Sequence, residues 1–491
     1  MDATLPVPTL GTLMARVDAL EKEVSGLKTE NRKLKPLEKE VLRLKDENKK
    51  LKSENERLKL ELAAARKNSS NSSKPPSSDI VKPPPAGGKS KRSIGAQRGH
   101  EPHFRTPFTP KQLDETHTFD PPAATCPCGG TLEPCPGDDQ VRQQIELRDN
   151  PLVRREYRAR AWRCAACGTL RRGRIPRHVK REGFVGNRLS AALAFLNTKA
   201  HASHSALSAF MKDALGESLS RGQVAKTFRR VSDALKAPYD ELRGRLRKEP
   251  VLNIDETGHR EQGKRFWTWV FRAKDFTVFH IDKTRSAGVL ESVLGSDYRG
   301  TIGCDYFSAY HKYLRDTGND AQFCLAHLIR DIRFLREHPD PETVRYADRS
   351  LAAMRRLFRV HHRLLENPGQ DRAELVKAGE RLRNAMLRVP AEAKADNLAR
   401  RFREHGDSYL RFTLNPEVEP TNNGSEQSLR PAVIDRACSQ GTRSLAGREF
   451  KQRIWSVSAT CVQRGVSLFA YLLEALAARA HRATAPPLLA P

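Results

Sequence analysis

The sequence predicts a mixed α/β core with a helical insertion, carried behind an N-terminal coiled coil, a cysteine-bearing module and a basic helical region. Three observations predict it. Apolar residues recur at heptad spacing from Leu13, one of two close cysteine pairs precedes a strongly basic stretch and the other lies within it, and the pattern after Pro250 switches to period two before strands and helices alternate. At about 100–200 residues per domain, a chain of 491 residues holds several domains. Lys and Arg exceed Asp and Glu by 28, which calls for a polyanionic partner, nucleic acid first among them. No apolar run reaches the roughly 18–20 residues of a membrane span, and Met1 to Leu20 lacks a basic segment leading into an apolar core. A membrane or secreted protein is not expected, and the setting is a reducing cytoplasm. Nine cysteines are too sparse for a disulfide scaffold.

Residues 1–66 carry the heptads: Leu13, Val17, Leu20, Val24, Leu27 and Leu34, then Leu37, Val41, Leu44, Leu51, Leu58 and Leu62. Asn31, Asn48 and Asn55 sit at core positions, where asparagine fixes register and favours a parallel homodimer. The short step from Leu34 to Leu37, holding Pro36, predicts a hinge or local overwinding. Residues 67–115 form a basic Pro/Ser/Gly linker that buries no core and reads as disordered.

Residues 116–180 read as a zinc-ribbon-like module, with Cys126 and Cys128 in one knuckle and Cys164 and Cys167 in the other, as candidate Zn²⁺ ligands. The second pair has the usual Cys-x-x-Cys spacing; the first does not. Between 151 and 250 there are 23 basic and 8 acidic residues. Arg154, Arg155, Arg171 and Arg172 are candidate phosphate contacts. Residues 181–249 read as helical and helix-turn-helix-like: Ser220 N-caps a helix that presents Arg221, Lys226, Arg229 and Arg230 to DNA.

Over 250–449 the order is strand, strand, strand, helix, strand, helix, strand, helix, that of a ribonuclease-H-like fold. Strands are expected at Val251–Asp255, Phe266–Phe271, Phe276–Ile281, Gly300–Asp305 and Gln322–Leu325, with a helical insertion about 328–412. Asp255 and Asp305 each end an apolar strand, and Glu426 opens a polar helix. Three such carboxylates suit two hard divalent ions about 3.5–4 Å apart. Two alternatives stand beside this: Glu256 as ligand in place of Asp255, and a capping box made by Asn423 and Glu426. His327, Asn422 and Asn423 are supporting candidates near the acids. Arg430, with Arg436, Arg443 and Arg448, forms a candidate phosphate-binding face, while Trp267 and Trp269 read as core. Residues 450–491 are a C-terminal helical segment and tail whose apolar face packs on the sheet.

Along nearly its whole length the chain resembles the main transposase of the bacterial insertion sequence 66 family, a branch of the DDE transposases. The matching segments are the leucine-zipper start, Asn71-Ser-Ser-Lys-Pro-Pro-Ser-Ser-Asp79, Gly95-Ala-Gln-Arg-Gly-His100, the paired cysteines, Asp255-Glu-Thr257, Cys304-Asp-Tyr-Phe-Ser-Ala-Tyr310, Cys324-Leu-Ala-His327 and Thr421-Asn-Asn-Gly-Ser-Glu426 through Arg430-Pro431. The resemblance implies that Asp255, Asp305 and Glu426 are the catalytic triad. It implies two Mg²⁺ ions, with Mn²⁺ able to substitute, and cleavage and strand transfer of element ends into target DNA. It also implies accessory proteins encoded by the element and a nucleoid-associated place in the bacterial cytoplasm. Two other classes remain open on sequence: a zinc-containing dimeric DNA-binding regulator without catalysis, and a hydrolytic nuclease of the same fold.

Overall fold

The computed structural model describes residues 10–65, 106–119, 126–130, 135, 140–148, 151–167, 169–367, 369–391 and 393–489. The linker expected at 67–115 lies outside them as far as residue 105, together with the Asn71–Asp79 and Gly95–His100 segments. Helix α1 (Leu10–Ala65) runs unbroken through Pro36, where the heptad break predicts a hinge. Proline there deletes one N–H in the ladder, and the bonds on either side carry the helix across. The heptad residues from Leu13 to Leu62 are 46–60% exposed, so the apolar seam is uncovered within the chain.

Strands β1 (Ala161–Arg163) and β2 (Leu170–Arg172) pair antiparallel, with Ala161 opposite Arg172, and their turn carries Cys164 and Cys167. Helices α2 (Arg177–Glu182), α3 (Asn187–Lys199), α4 (His204–Asp213), α5 (Arg221–Ala234) and α6 (Lys236–Arg245) follow. Ser220 caps α5 as its sequence demands, its hydroxyl accepting from Gln223 N at 3.1 Å. Next come β3 (Val251–Glu261), β4 (Lys264–Arg272), β5 (Thr277–Asp282), α7 (Ala287–Leu294), β6 (Thr301–Cys304), α8 (Ser308–Thr317), β7 (Asp320–Phe323) and α9 (Leu325–Leu335), in the order the period-two pattern predicts. Helices α10 (Pro341–Glu366), α11 (Ala373–Leu387) and α12 (Ala393–Leu414) make the insertion, and α13 (Asn423–Ser439), α14 (Leu445–Gln463) and α15 (Leu468–His481) complete the chain. The result is a mixed α/β protein with a helical majority and a mixed sheet, and no described helix is long and apolar enough to cross a membrane.

The chain divides into two compact units, and β3 contributes to both. In the unit holding residues 250–254 and 296–424, β6 lies between the start of β3 and β7 and is parallel to each, with Asn253 opposite Gly303 and Cys304 opposite Phe323. All four residues of β6 are buried, as a parallel strand covered on both faces requires. The outer strand β7 is tied to α12 through the buried Gln322, whose amide donates to Tyr409 O (3.1 Å) and accepts from Phe412 N (2.9 Å).

In the unit holding residues 85–249, 255–295 and 425–491, the rest of β3 forms a meander with β4 and β5. The β3–β4 turn is Gln262-Gly263 with φ of 51° and 77°, the double positive φ of a type I′ hairpin. Edge strand β5 is closed off by α14. The amides of Thr277, Phe279 and Ile281 donate to Thr460 Oγ1 (3.2 Å), Ser456 Oγ (2.8 Å) and Gln452 Oε1 (2.7 Å). The match is geometric: four residues of helix advance about 6.0 Å, and two residues of strand about 6.7 Å. An open row of donors, a template for aggregation, becomes a satisfied ladder. Contrary to the expectation that both tryptophans are core, Trp269 is fully buried but Trp267 is half-exposed, flanked by the Arg265 and Arg285 guanidiniums at 5.0 and 4.8 Å.

Two histidines in this unit are held neutral. Burial first, then nearby Arg243, pushes His280 down to about 4. Burial, then Arg436, Lys451 and Arg448, does the same to His259, also to about 4. Since the folded values lie below the unfolded value of about 6.5, the stability they contribute is complete above pH ~6.5 and is lost as pH falls towards 4. We expect urea midpoints to fall across that window by an amount equivalent to a few kcal/mol. In the His259→Gln/His280→Gln double variant the drop should shrink; an identical drop in the variant refutes this assignment.

Candidate active site

Asp255 and Asp305 owe their places to parallel pairing. The last paired residues of β3 and β6 are Asn253 and Gly303, and each aspartate stands two residues beyond that pairing: Asp305 just past the end of β6, but Asp255 inside β3, which runs on to Glu261 in the hairpin with β4 instead of ending at Asp255 as expected. The carboxyl end of a parallel sheet is where open α/β folds bind ligands. Both aspartates are half-buried, and Oδ1 of Asp305 is shielded from solvent. Glu426 lies in the first turn of α13, also half-buried and with Oε1 shielded.

A buried asparagine ties together three segments of one unit, those that lead in the chain to Asp255, Asp305 and Glu426. Asn422 is 2% exposed; its Nδ2 donates to Ile254 O at 2.7 Å, one residue before Asp255. Its backbone N donates to Cys324 Sγ at 3.2 Å, and Cys324 N donates to Cys304 O at 2.9 Å, one residue before Asp305. Leu325 N completes the knot on Pro420 O at 3.0 Å. The backbone next to Asp255 and next to Asp305 is thus joined to the entry of the helix that carries Glu426. Asn422 Oδ1 is buried with no hydrogen-bond partner among the described residues. Asn423, by contrast, is exposed, and His327 is half-buried in the first turn of α9.

The structure also separates Asp255 from its neighbour. Glu256 is buried and ion-paired to Arg285 (2.5 Å), whose guanidinium lies over Trp267 at 4.8 Å. A carboxylate committed in this way is a poor rival for a metal, whereas Asp255 accepts its neighbour's amide, Glu256 N, at 2.8 Å. Beside Asp305, Tyr306 carries the Arg401 guanidinium over its ring at 4.5 Å, and Arg401 pairs with Asp331 at 2.9 Å. Burial raises the Tyr306 phenol above its ordinary value. Sequence reasoning missed Arg285, Cys324 and Arg401 because their partners lie far along the chain.

The cysteines form two knuckle turns. Cys126 N donates to Gly130 O at 2.8 Å and Gly129 N to Cys126 O at 2.8 Å, with Gly129 at φ 92°. In the second, the Cys167 thiol donates to Thr169 Oγ1 at 3.1 Å. Hydrogen bonds from the Gly130 backbone and the Cys126 side chain lower the Cys128 thiol, and those from Thr169 and then Cys164 lower Cys167. Lowered thiols are the ones metals take. Among the described residues, however, no group of three or more His, Cys, Asp or Glu side chains is arranged to hold a metal ion, whether from these cysteines or from the three acids.

The basic candidates divide. Arg155, Arg171, Arg172, Arg221, Lys226, Arg229 and Arg430 are exposed, and Arg154 is exposed but pairs with Glu217 at 3.1 Å. Arg230 is the correction: it turns inward and donates to Val185 O and to Ser190 Oγ, bracing α5 against α3 rather than facing DNA. The expected Arg face likewise loses Arg436, which donates to Gly258 O and Thr257 Oγ1, and Arg448, paired with Glu261 at 3.5 Å and lying over Phe266. Arg443 stays exposed.

Two family models match the chain. One, described as a family of unknown function (DUF6444), covers residues 16–106, which include most of α1. No curated protein matches the chain. The other covers residues 182–449, more than half the chain, and includes the helical region, all five strands of the larger sheet, the insertion and the entry of α13. It is the model of the IS66 transposases, and the chain belongs to the Transposase IS66 family.

Proposed function

We propose that this transposase works by two-metal phosphoryl transfer on DNA, with a ribonuclease-H-like core in which Asp255, Asp305 and Glu426 hold two Mg²⁺ ions, Mn²⁺ able to substitute. The observation that carries the reading is the Asn422 knot, which links Ile254, Cys304 and the entry of α13, the neighbours of the three acids. The donor chemistry fits: carboxylate oxygens and the orphaned Asn422 Oδ1 are hard ligands of the type these ions take. When bound, the ions lower the pKa of an attacking water and stabilise the leaving 3′ oxygen. The protein's share is positioning. Strand β3, the end of β6 and a helix first turn hold the carboxylates on backbone that is itself hydrogen-bonded, and exposed Arg221, Lys226, Arg229 and Arg430 offer cations to DNA phosphates. The freed 3′ hydroxyl then attacks a target phosphodiester in line, losing its proton and bonding to phosphorus as the target strand's own 3′ oxygen leaves, so no side-chain nucleophile is needed.

Assembly belongs to the same reading. The uncovered seam of α1, with asparagines at core positions, suits a second copy of the chain in a parallel dimer that brings two element ends together. Zn²⁺ held by Cys126, Cys128, Cys164 and Cys167 is supported by the two knuckle turns and requires the pairs to close on each other. Accessory proteins from the same element are further candidate partners.

Asp255→Asn, Asp305→Asn and Glu426→Gln should each lower Mg²⁺-dependent cleavage of labelled element ends by about a thousandfold or more while DNA binding persists. Cleavage by Asp305→Asn at the native rate would sink the metal assignment. Joining of a pre-cleaved end to target DNA separates transposition from simple hydrolysis, which yields no joined product.

The knot makes a second prediction. Asn422→Ala removes the donor to a buried carbonyl and should cost about 1–3 kcal/mol in a urea titration. Under conditions where the variant is fully folded, cleavage turnover should still be depressed, because Ile254 and Asp255 lose their tether. Full turnover in the folded variant counts against a positioning role.

A further inference from the structure

We propose that a groove between α9 and α10 is a second DNA-binding surface, taking phosphates of the duplex a few base pairs from the cleavage point; this rests on the catalytic reading of Asp305 given above. The groove has a volume of about 440 Å³ and an apolar floor that includes Met354 and Phe358, with Arg333, Arg336, Arg355, Arg359 and His362 around it. Arg355, Arg359 and His362 are spaced i, i+4, i+7 and therefore share one face of α10, while Arg333 and Arg336 stand one turn apart at the end of α9. All five are exposed.

What distinguishes these cations from an ordinary solvated face is that four of the five have no ion pair among the described residues. Elsewhere on α10, Arg345 pairs with Glu342, Arg363 pairs with Glu374 at 3.2 Å, and Arg349 donates to Arg388 O. Around the groove, Asp348 on Arg336 at 2.8 Å is the single carboxylate that pairs with any of the five among the described residues. Guanidiniums crowded together without counter-ions repel one another, and a polyanion relieves that repulsion while releasing its own condensed ions. An acidic protein segment is the competing occupant; the family's substrate and the row of planar forks suited to phosphate favour DNA.

The location gives the inference its register. Helix α9 begins at Cys324, whose amide is bonded to Cys304 O beside Asp305. Ile329 and Arg336, which line the groove, lie five and twelve residues further on, or about 8 and 18 Å along the axis. That reach corresponds to roughly two to five base pairs of duplex.

The test uses the full-length protein and a labelled duplex of about 30 base pairs of arbitrary sequence, titrated at several salt concentrations. Replacing Arg333, Arg355 and Arg359 by Ala should lower the slope of log affinity against log salt by about 2–3, since each lost phosphate contact removes about 0.9. Replacing the same three by Lys should keep most of the slope, which a packing defect would not. Native slope and affinity in the Ala variant overturn the groove and leave it to an acidic protein partner, while the transposase reading stands. An equal loss in the Ala and Lys variants also overturns it, as charge would not be the cause. If the native protein binds no duplex at all, the functional reading falls and the groove with it.

Discussion

The constraint on which the catalytic reading depends is the burial of one amide side chain. Asn422 has to be placed so that Nδ2 reaches Ile254 O, 168 residues away, while its own N–H reaches Cys324 Sγ. The first bond ties the entry of α13 to β3, and the second ties it to β6 and α9 as well, because Cys324 is itself held on Cys304 O. A buried carbonyl left without its donor costs about 1–3 kcal/mol, so the knot rewards only the arrangement in which the strand ends and the entry to α13 coincide. The remaining Oδ1 is one of several buried side-chain polar atoms without a hydrogen-bond partner among the described residues, and it lies in the chain between the knot and Glu426. Buried polar atoms without partners are rare in native proteins, and those that persist are frequently functional.

Charge in this protein has two distinct uses. One set of arginines works inside the fold: Arg230 between α5 and α3, Arg285 on Glu256, Arg436 on the β3 backbone and Arg448 on Glu261. A guanidinium suits these places because its fork satisfies several acceptors at once and its stem packs like an apolar chain. The other set is exposed and available to phosphate. The surplus of 28 positive charges therefore measures the polyanion-binding surface only after the internal arginines are set aside. It is this second set, on α5, at Arg430 and around the insertion groove, that marks where DNA is expected to lie.

Much of the architecture was legible because the signals are local. Period-two runs placed four strands of the larger sheet within a few residues and Ser220 announced the start of α5, whereas the first strand, expected to end at Asp255, runs on to Glu261, so that of the two acids expected at strand ends only Asp305 stands at one. The features that escaped are those made by distant residues. Nothing near Glu256 reveals Arg285, and nothing on the surface of α5 tells Arg230 from Arg229, since both fit a basic face and only the packing of α3 turns one of them inward. At Pro36 the phase break in the heptads predicts a hinge or local overwinding, and the unbroken helix removes the hinge, because a helix with bonds on both sides tolerates one missing donor. For Trp267, alternation predicted the correct face but not that the arginines Arg265 and Arg285 would cover it in place of a core.

The helix that carries Glu426 is anchored well beyond its first turn. Asp435, three turns on, pairs at 2.7 Å with Lys451 of α14, and both are almost fully buried. Lys451 also donates to Asn197 Oδ1 of α3 at 3.0 Å. Burial lowers the lysine and Asp435 raises it in return, so the buried ammonium depends on the carboxylate beside it. Such a pair adds little to net stability compared with an apolar substitute, but it tolerates few alternative alignments. Arg436, the next residue, reaches back to Gly258 O and Thr257 Oγ1, on the strand that carries Asp255. An ion pair that specifies the seat of α13 and an arginine that ties it to β3 are what a preorganised carboxylate needs, because catalysis by positioning is lost when the supporting residues are loose.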